Sequence, residues 1–106
     1  MTQTELLQEL RAIGYPVAYS HFKSSPPPPY LVYLFAYNND LQADNMNYAE
    51  ISNFQIELYT AIKDLTAEKA VQDKLKELKL PYRKSGTWIE GEGLFQIMYE
   101  IQLIGG

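Results

Sequence analysis

Cysteine is absent from this chain of 106 residues, and histidine occurs once, at His21. Without cysteine there are no disulfides and no thiolate metal sites, a composition compatible with a reducing compartment. One imidazole leaves little for acid–base or nucleophilic catalysis, so the inventory points away from an enzyme. Basic residues are few: 9 Lys and Arg stand against 13 Asp and Glu, for a net charge of −4. No basic run tracks a phosphate backbone, and sequence-specific nucleic-acid binding is not expected. Long hydrophobic runs are missing too. The longest, residues 30–37, is far too short to cross a bilayer as a helix, so no membrane partner is expected. The opening MTQTELLQEL is acidic and amphipathic, unlike a secretory signal. Glycine-rich phosphate loops are lacking: Gly91-Glu92-Gly93 precedes a strand pattern and reads as a hairpin turn. No cofactor is implied.

What remains is a chain of one domain's length that is 46% hydrophobic and holds nine tyrosines. Tyrosine supplies large contact area at low entropic cost and is enriched at interfaces. A domain this small also leaves much apolar surface for a partner to cover.

Periodicity gives the fold. Thr2 or Thr4 caps a first helix on which Leu6, Leu7, Leu10 and Ile13 share a face, and Gly14 stops it. Residues 17–20 are a short extended segment. Lys23-Ser24-Ser25 and four prolines, Pro26 to Pro29, then form a rigid connector in the polyproline II manner. Residues 30–37, apolar on both faces, read as a central strand covered on both sides. Residues 38–48, NNDLQADNMNY, read as a long polar loop. From residue 50 to 61, Phe54, Ile56 and Leu58 alternate with Asn53, Gln55 and Glu57, as in a half-buried strand. Asp64 or Thr66 caps a second helix whose apolar face is Ala67, Ala70, Val71, Leu75 and Leu78, with Pro81 ending it. Residues 82–90 form a strand anchored by Trp88. Residues 94–104 form the last strand, Phe95, Ile97, Tyr99, Ile101 and Leu103 alternating with a glutamine-rich face. The expected architecture is a single α+β domain over residues 1–106. It has a mainly antiparallel sheet, two helices packed on one face, and the order α-β-β-β-α-β-β.

Chemistry is sparse. Ser20 and Ser24 lie near His21, but neither sits on a strand-to-helix elbow, and neighbours on an extended chain point apart. Glu90 and Glu92 flank a turn and are explained by solvation. The acidic residues of the polar loop lack the spacing, central glycine and terminal glutamate of a calcium loop, so no metal is implied. The loop itself is the candidate site. Asp40, Leu41, Asp44, Met46 and Tyr48 are expected as protein-interface residues on a projecting arm.

The segments IGYPVAYSHF, PPPPYLVYLFAYNNDLQADNMNYAEISNFQIELYT, AEKAVQDKLKEL and LPYRKSGTWIEGEGLFQIMYEIQLIGG cover nearly the whole chain. Together they resemble the small tail-terminator, or head–tail joining, proteins of long-tailed bacteriophages and prophages. The resemblance implies a non-enzymatic α+β protomer that closes into a homo-oligomeric ring, typically hexameric, at the head-proximal end of the tail tube. That ring stops tube elongation and docks to the head connector. The implied partners are the major tail tube protein and the head connector protein. The implied locations are the host cytoplasm during assembly and the virion tail. An acidic ring suits a DNA conduit, because repulsion keeps the duplex from sticking. The competing expectation is a non-enzymatic adaptor that binds a host or phage protein through the Pro-rich segment or the polar loop.

Overall fold

The computed structural model describes residues 1–38, 41–43, 46–49 and 51–104. Its elements run α1 (Gln3–Arg11), β1 (Val17–Tyr19), β2 (Tyr30–Asn38), β3 (Leu41–Ala43), β4 (Met46–Ala49), β5 (Ile51–Thr60), α2 (Leu65–Glu77), β6 (Arg83–Ile89) and β7 (Leu94–Ile104). The fold is α+β, as the alternating periods imply, with an added short hairpin, β3–β4.

Both helices start on side-chain caps. The Thr2 hydroxyl accepts from the Glu5 amide at 3.2 Å, and the Glu5 carboxylate accepts from the Thr2 amide at 3.0 Å, a reciprocal capping box. That pairing with Thr2 holds the Glu5 carboxyl below its ordinary pKa. Asp64 caps α2 by accepting from the Ala67 amide at 3.0 Å. The end of α2 departs from the expected stop at Pro81. The helix finishes at Glu77, and Lys79 takes a left-handed conformation, φ 57°. The Leu80 amide then returns to the Leu75 carbonyl and that of Lys79 to the Lys76 carbonyl, closing the helix two residues before the proline.

The main sheet has the order β1-β2-β5-β7-β6. β1 pairs parallel with β2, and all other pairings in it are antiparallel. Register partners share a face. Leu31, Leu58 and Ile97 form one row, and Tyr33, Ile56 and Tyr99 the next. These rows pack under Leu6 and Leu10 of α1 and Ala67, Val71 and Leu75 of α2, all buried. The alternations read in residues 50–61 and 94–104 therefore correspond to the helix-covered face. In β6 the same face carries Gly86. A Cβ there would stand 3.0 Å from the Ile97 methyl, so glycine lets that side chain lie flat against the edge strand.

Three expectations are corrected. The central strand is β5, and residues 30–37 lie one place toward the edge. Their apolarity on both faces reflects cover over the first half only. Tyr30, Leu31, Val32 and Tyr33 are buried, whereas Phe35 and Tyr37 are exposed. On the face away from the helices the cover is the segment 20–29. Phe22 meets the edge of Tyr30 at 5.4 Å, and Tyr30 stacks on Tyr59 at 5.0 Å. The proline run bends at residues 27–29 as it crosses. Second, Trp88 is no buried anchor. It is 46% exposed on the outermost strand and rests on Phe95, with ring centroids 4.8 Å apart. Third, the stretch 38–48 is not a plain loop. β3 and β4 pair antiparallel there, with Leu41 opposite Ala49, Gln42 opposite Asn47 and Ala43 opposite Met46.

β2 and β5 carry the chain outward into this hairpin. A bulge between Phe35 and Tyr37 shifts the β2 register on the way. The radius of gyration is 14.8 Å and the extents are 50 × 28 × 24 Å. A compact chain of this length has a radius of about 13 Å, so the molecule is elongated.

Candidate functional site

The sheet has two unlike ends. At the end next to the Pro-rich segment, which we call proximal, β2 is buried on both faces. At the other, distal end the outer strands stop early. β1 ends at Tyr19, opposite Tyr33, while β2 continues to Asn38. β6 begins at Arg83, opposite Glu100, while β7 continues to Ile104. Residues 34–38 of β2 and 101–104 of β7 therefore present edges on opposite flanks of one sheet, at the same end. Tyr19 partly closes the first by accepting the Phe35 amide on its hydroxyl at 3.2 Å. Open strand edges are ready templates for another strand.

Exposed apolar groups stand at both ends, with Ile62, Leu65 and Trp88 at the proximal one and Phe35, Tyr37 and Ile104 at this one. Phe35 is 41% exposed and leans edge-on against Phe54 at 5.8 Å. Tyr37 and Ile104 are more exposed still. A groove of about 610 Å³ is lined by residues 100–104 of β7, the chain leaving α2 at residues 78–83, and Tyr37 and Asn53 of the neighbouring strands.

The sheet face away from the helices carries a polar ladder. Proximally, Gln96 donates to the Tyr59 hydroxyl at 2.8 Å, and that hydroxyl donates to Glu57 at 2.8 Å. Burial, together with the hydrogen bond to Glu57, pushes the Tyr59 phenol up to about 12. Distally, Gln102 donates to Asn53 at 3.1 Å, and Asn53 donates to the Tyr37 carbonyl at 3.0 Å. Gln96 and Gln102, from the glutamine-rich face, thus tie the strands to one another.

The most buried charge lies elsewhere. Glu68 of α2 is 3% exposed and meets Lys63 at 2.7 Å and Lys84 of β6 at 2.6 Å. Burial works to raise its pKa, but the two ammonium groups outweigh that and hold the carboxyl below its ordinary value. Tyr99 donates to Gln72 at 3.2 Å and to the Glu68 carbonyl at 3.4 Å, and burial beside Glu68 raises its phenol. Lys74 joins the helices through Glu9 at 3.3 Å. These ties lock α2 onto α1 and β6, and they serve the scaffold.

Of the expected interface residues, Leu41 lies on β3 and Met46 and Tyr48 on β4, so the backbone gathers these three on one hairpin. Asp40 and Asp44 lie outside the described residues. Ser20 and His21 are closer than an extended chain allows: Ser20 has φ 67°, and its hydroxyl stands 3.3 Å from the imidazole Nδ1. The turn that joins them is closed by the His21 amide on the Tyr19 carbonyl at 2.7 Å. A hollow of about 170 Å³ lies beside them, bordered by Glu92 and Tyr59. Both side chains are exposed and belong to the segment that covers the sheet. Among the described residues no group of His, Asp and Glu is placed to hold a metal ion, and no helix is long and apolar enough to cross a membrane.

Sequence reasoning missed Phe35, Tyr37, Ile104 and the two open edges. Which strand outruns its neighbour depends on pairing register, and no single segment encodes that. Comparison with models of known protein families gives no match, and comparison with curated proteins gives none either.

Proposed function

We propose that this chain is a structural assembly subunit of a long-tailed phage or prophage particle. Its role is that of a tail-terminator, or head–tail joining, protein. Subunits close into a ring, with six as the expected number, at the head-proximal end of the tail tube. The ring stops tube elongation and docks to the head connector. The reading is non-enzymatic, and the tube and connector proteins are the partners.

One observation carries most of its weight: two open strand edges stand on opposite flanks of the sheet at the same end. Surfaces on opposite flanks make a head-to-tail contact, and head-to-tail contacts that close by rotation give rings. The elongated shape, 50 Å in its longest extent, adds reach toward a neighbour. The Pro-rich segment is less suited to capture an adaptor's target, because Phe22 and the buried Tyr30 bind it to the chain's own sheet.

Deleting the gene from its prophage tests the role. Filled heads beside unjoined tails, some of abnormal length, are the expected outcome. Normal infectious particles from the deletion strain would refute it.

A further inference from the structure

Most charged groups of the described residues have partners within the chain. Lys63, Lys69, Lys74 and Lys84 sit in ion pairs. Among the described residues, every carboxylate except those of Glu90, Glu92 and Glu100 meets a cation or accepts a hydrogen bond. Lys79 and Arg83 stand outside these ion pairs as well. The unpaired groups fall in two places. Lys79, Arg83 and Glu100 border the distal groove, with Leu80, Ile101 and Leu103 as its apolar wall. Glu90 and Glu92 stand at the tip of the β6–β7 hairpin, where the Glu92 and Gly93 amides close the turn on the Ile89 carbonyl at 3.1 and 2.9 Å.

β6 holds the two places apart. It starts at Arg83, beside the groove, and ends at Ile89, beside the tip. Its seven residues span about 20 Å, more than a Debye length, so the tip does not neutralise the groove of its own chain.

We propose that the groove receives the β6–β7 hairpin tip of a second copy of the chain, with Glu90 and Glu92 meeting Lys79 and Arg83. Trp88, two residues before Glu90 and 46% exposed, is the aromatic group that enters the contact with them. Charge selects this pairing over the symmetric ones. Groove against groove would set Lys79 and Arg83 against their own copies. Tip against tip would set carboxylates against carboxylates with no cation between them. Groove against tip matches unlike signs from opposite ends of the molecule, so the contact is head-to-tail. The inference rests on the assembly reading and names the surfaces through which one subunit meets the next.

Exchanging the charges tests the contact. Lys79→Glu with Arg83→Gln, and separately Glu90→Lys with Glu92→Lys, should each weaken self-association by about tenfold or more. The chain that carries all four changes should regain most of that loss, because unlike charges meet again. Arg83 becomes glutamine because a carboxylate directly opposite Glu100 would disturb the sheet itself. All four side chains are exposed, so urea unfolding of each variant as a monomer should match the wild type. The natural chain has no cysteine, so single-cysteine variants report the contact directly. Gly91→Cys at the tip and Ile104→Cys at the groove are mixed and oxidised under conditions where the wild type associates. Nothing lies within 4 Å of a Cβ built at Gly91, and Ile104 is exposed. The expected product is the mixed dimer, in excess over either homodimer. If the wild type assembles but homodimers dominate, or the fourfold variant associates no better than the two double variants, the contact is wrong and the ring reading stands. A wild type that stays monomeric at every concentration and on isolated tail tubes overturns both.

Discussion

The proximal and distal ends of the sheet are built from the same strands, yet they are held differently. Within β2 alone, residues 30–33 are buried on both faces and residues 34–38 are not. The proximal half lies between two helices and the Pro-rich segment. Distally, Phe54, Ile101 and Leu103 stay buried on the helix side and Asn53 on the other, but Phe35, Tyr37 and two strand edges are exposed. A strand's apolar content therefore does not show whether its own chain covers it. Here the uncovered half is the part free to pair with another molecule.

The largest expected effect separates the two ends by stability. Leu58→Ala, in the proximal core, should cost about 3 kcal/mol in urea unfolding. Phe35→Ala at the distal end, or Trp88→Ala on the edge strand, should cost only about 1 kcal/mol, because each keeps one aromatic contact and is well exposed. Equal losses at Leu58 and Phe35 would erase the contrast.

Next is the buried carboxylate that ties α2 to β6. Lys63→Ala combined with Lys84→Ala leaves Glu68 buried without a cation and should cost about 3 kcal/mol at neutral pH. In the wild type the folded state holds the Glu68 pKa below the unfolded value of 4.5, so the unfolded chain binds the proton first. The stability this contributes is present above that value and is lost as pH falls through the lower, folded one. Glu68→Gln should flatten that acid limb, and an unchanged limb would show that Glu68 does not set it.

A smaller effect appears in alkali. The Tyr59 phenol lies at about 12 when folded and at 10.0 otherwise. Its contribution is complete below pH 10 and is lost as pH rises toward 12, since the unfolded chain releases the proton first. Tyr59→Phe should reduce the slope of stability against pH in that window, while Phe35→Tyr at the distal end should leave it unchanged. The smallest effect is dynamic. A two-stranded hairpin with three paired positions is marginal alone, so the described β3 and β4 amides should exchange faster than those of β5 and β7. Equal protection would mean that the hairpin is held by more than its own pairing.

Most of this fold was legible in the sequence. The helix periods at Leu6, Leu10, Val71 and Leu75, and the alternations around Ile56 and Tyr99, placed the core because period and burial report the same face. Thr2 and Asp64 were readable as caps because their local chemistry suffices. β3 and β4 were not, since Leu41 to Ala43 and Met46 to Ala49 alternate too briefly among Asn and Asp to stand out. The exposure of Trp88 and the bared β2 half depend on which strand is outermost and where the segment 20–29 crosses. Both are tertiary facts. Of the expected site, Leu41, Met46 and Tyr48 fall on the β3–β4 hairpin, whose strands were not legible, and neither were the strand edges beside it.

The central claim is that the distal end drives head-to-tail assembly. Native mass spectrometry across a concentration series, with and without isolated tail tubes, tests it most directly. The account predicts one closed oligomer larger than a dimer, of fixed subunit number, in solution or on the tubes. A symmetric dimer as the final state under both conditions would contradict it.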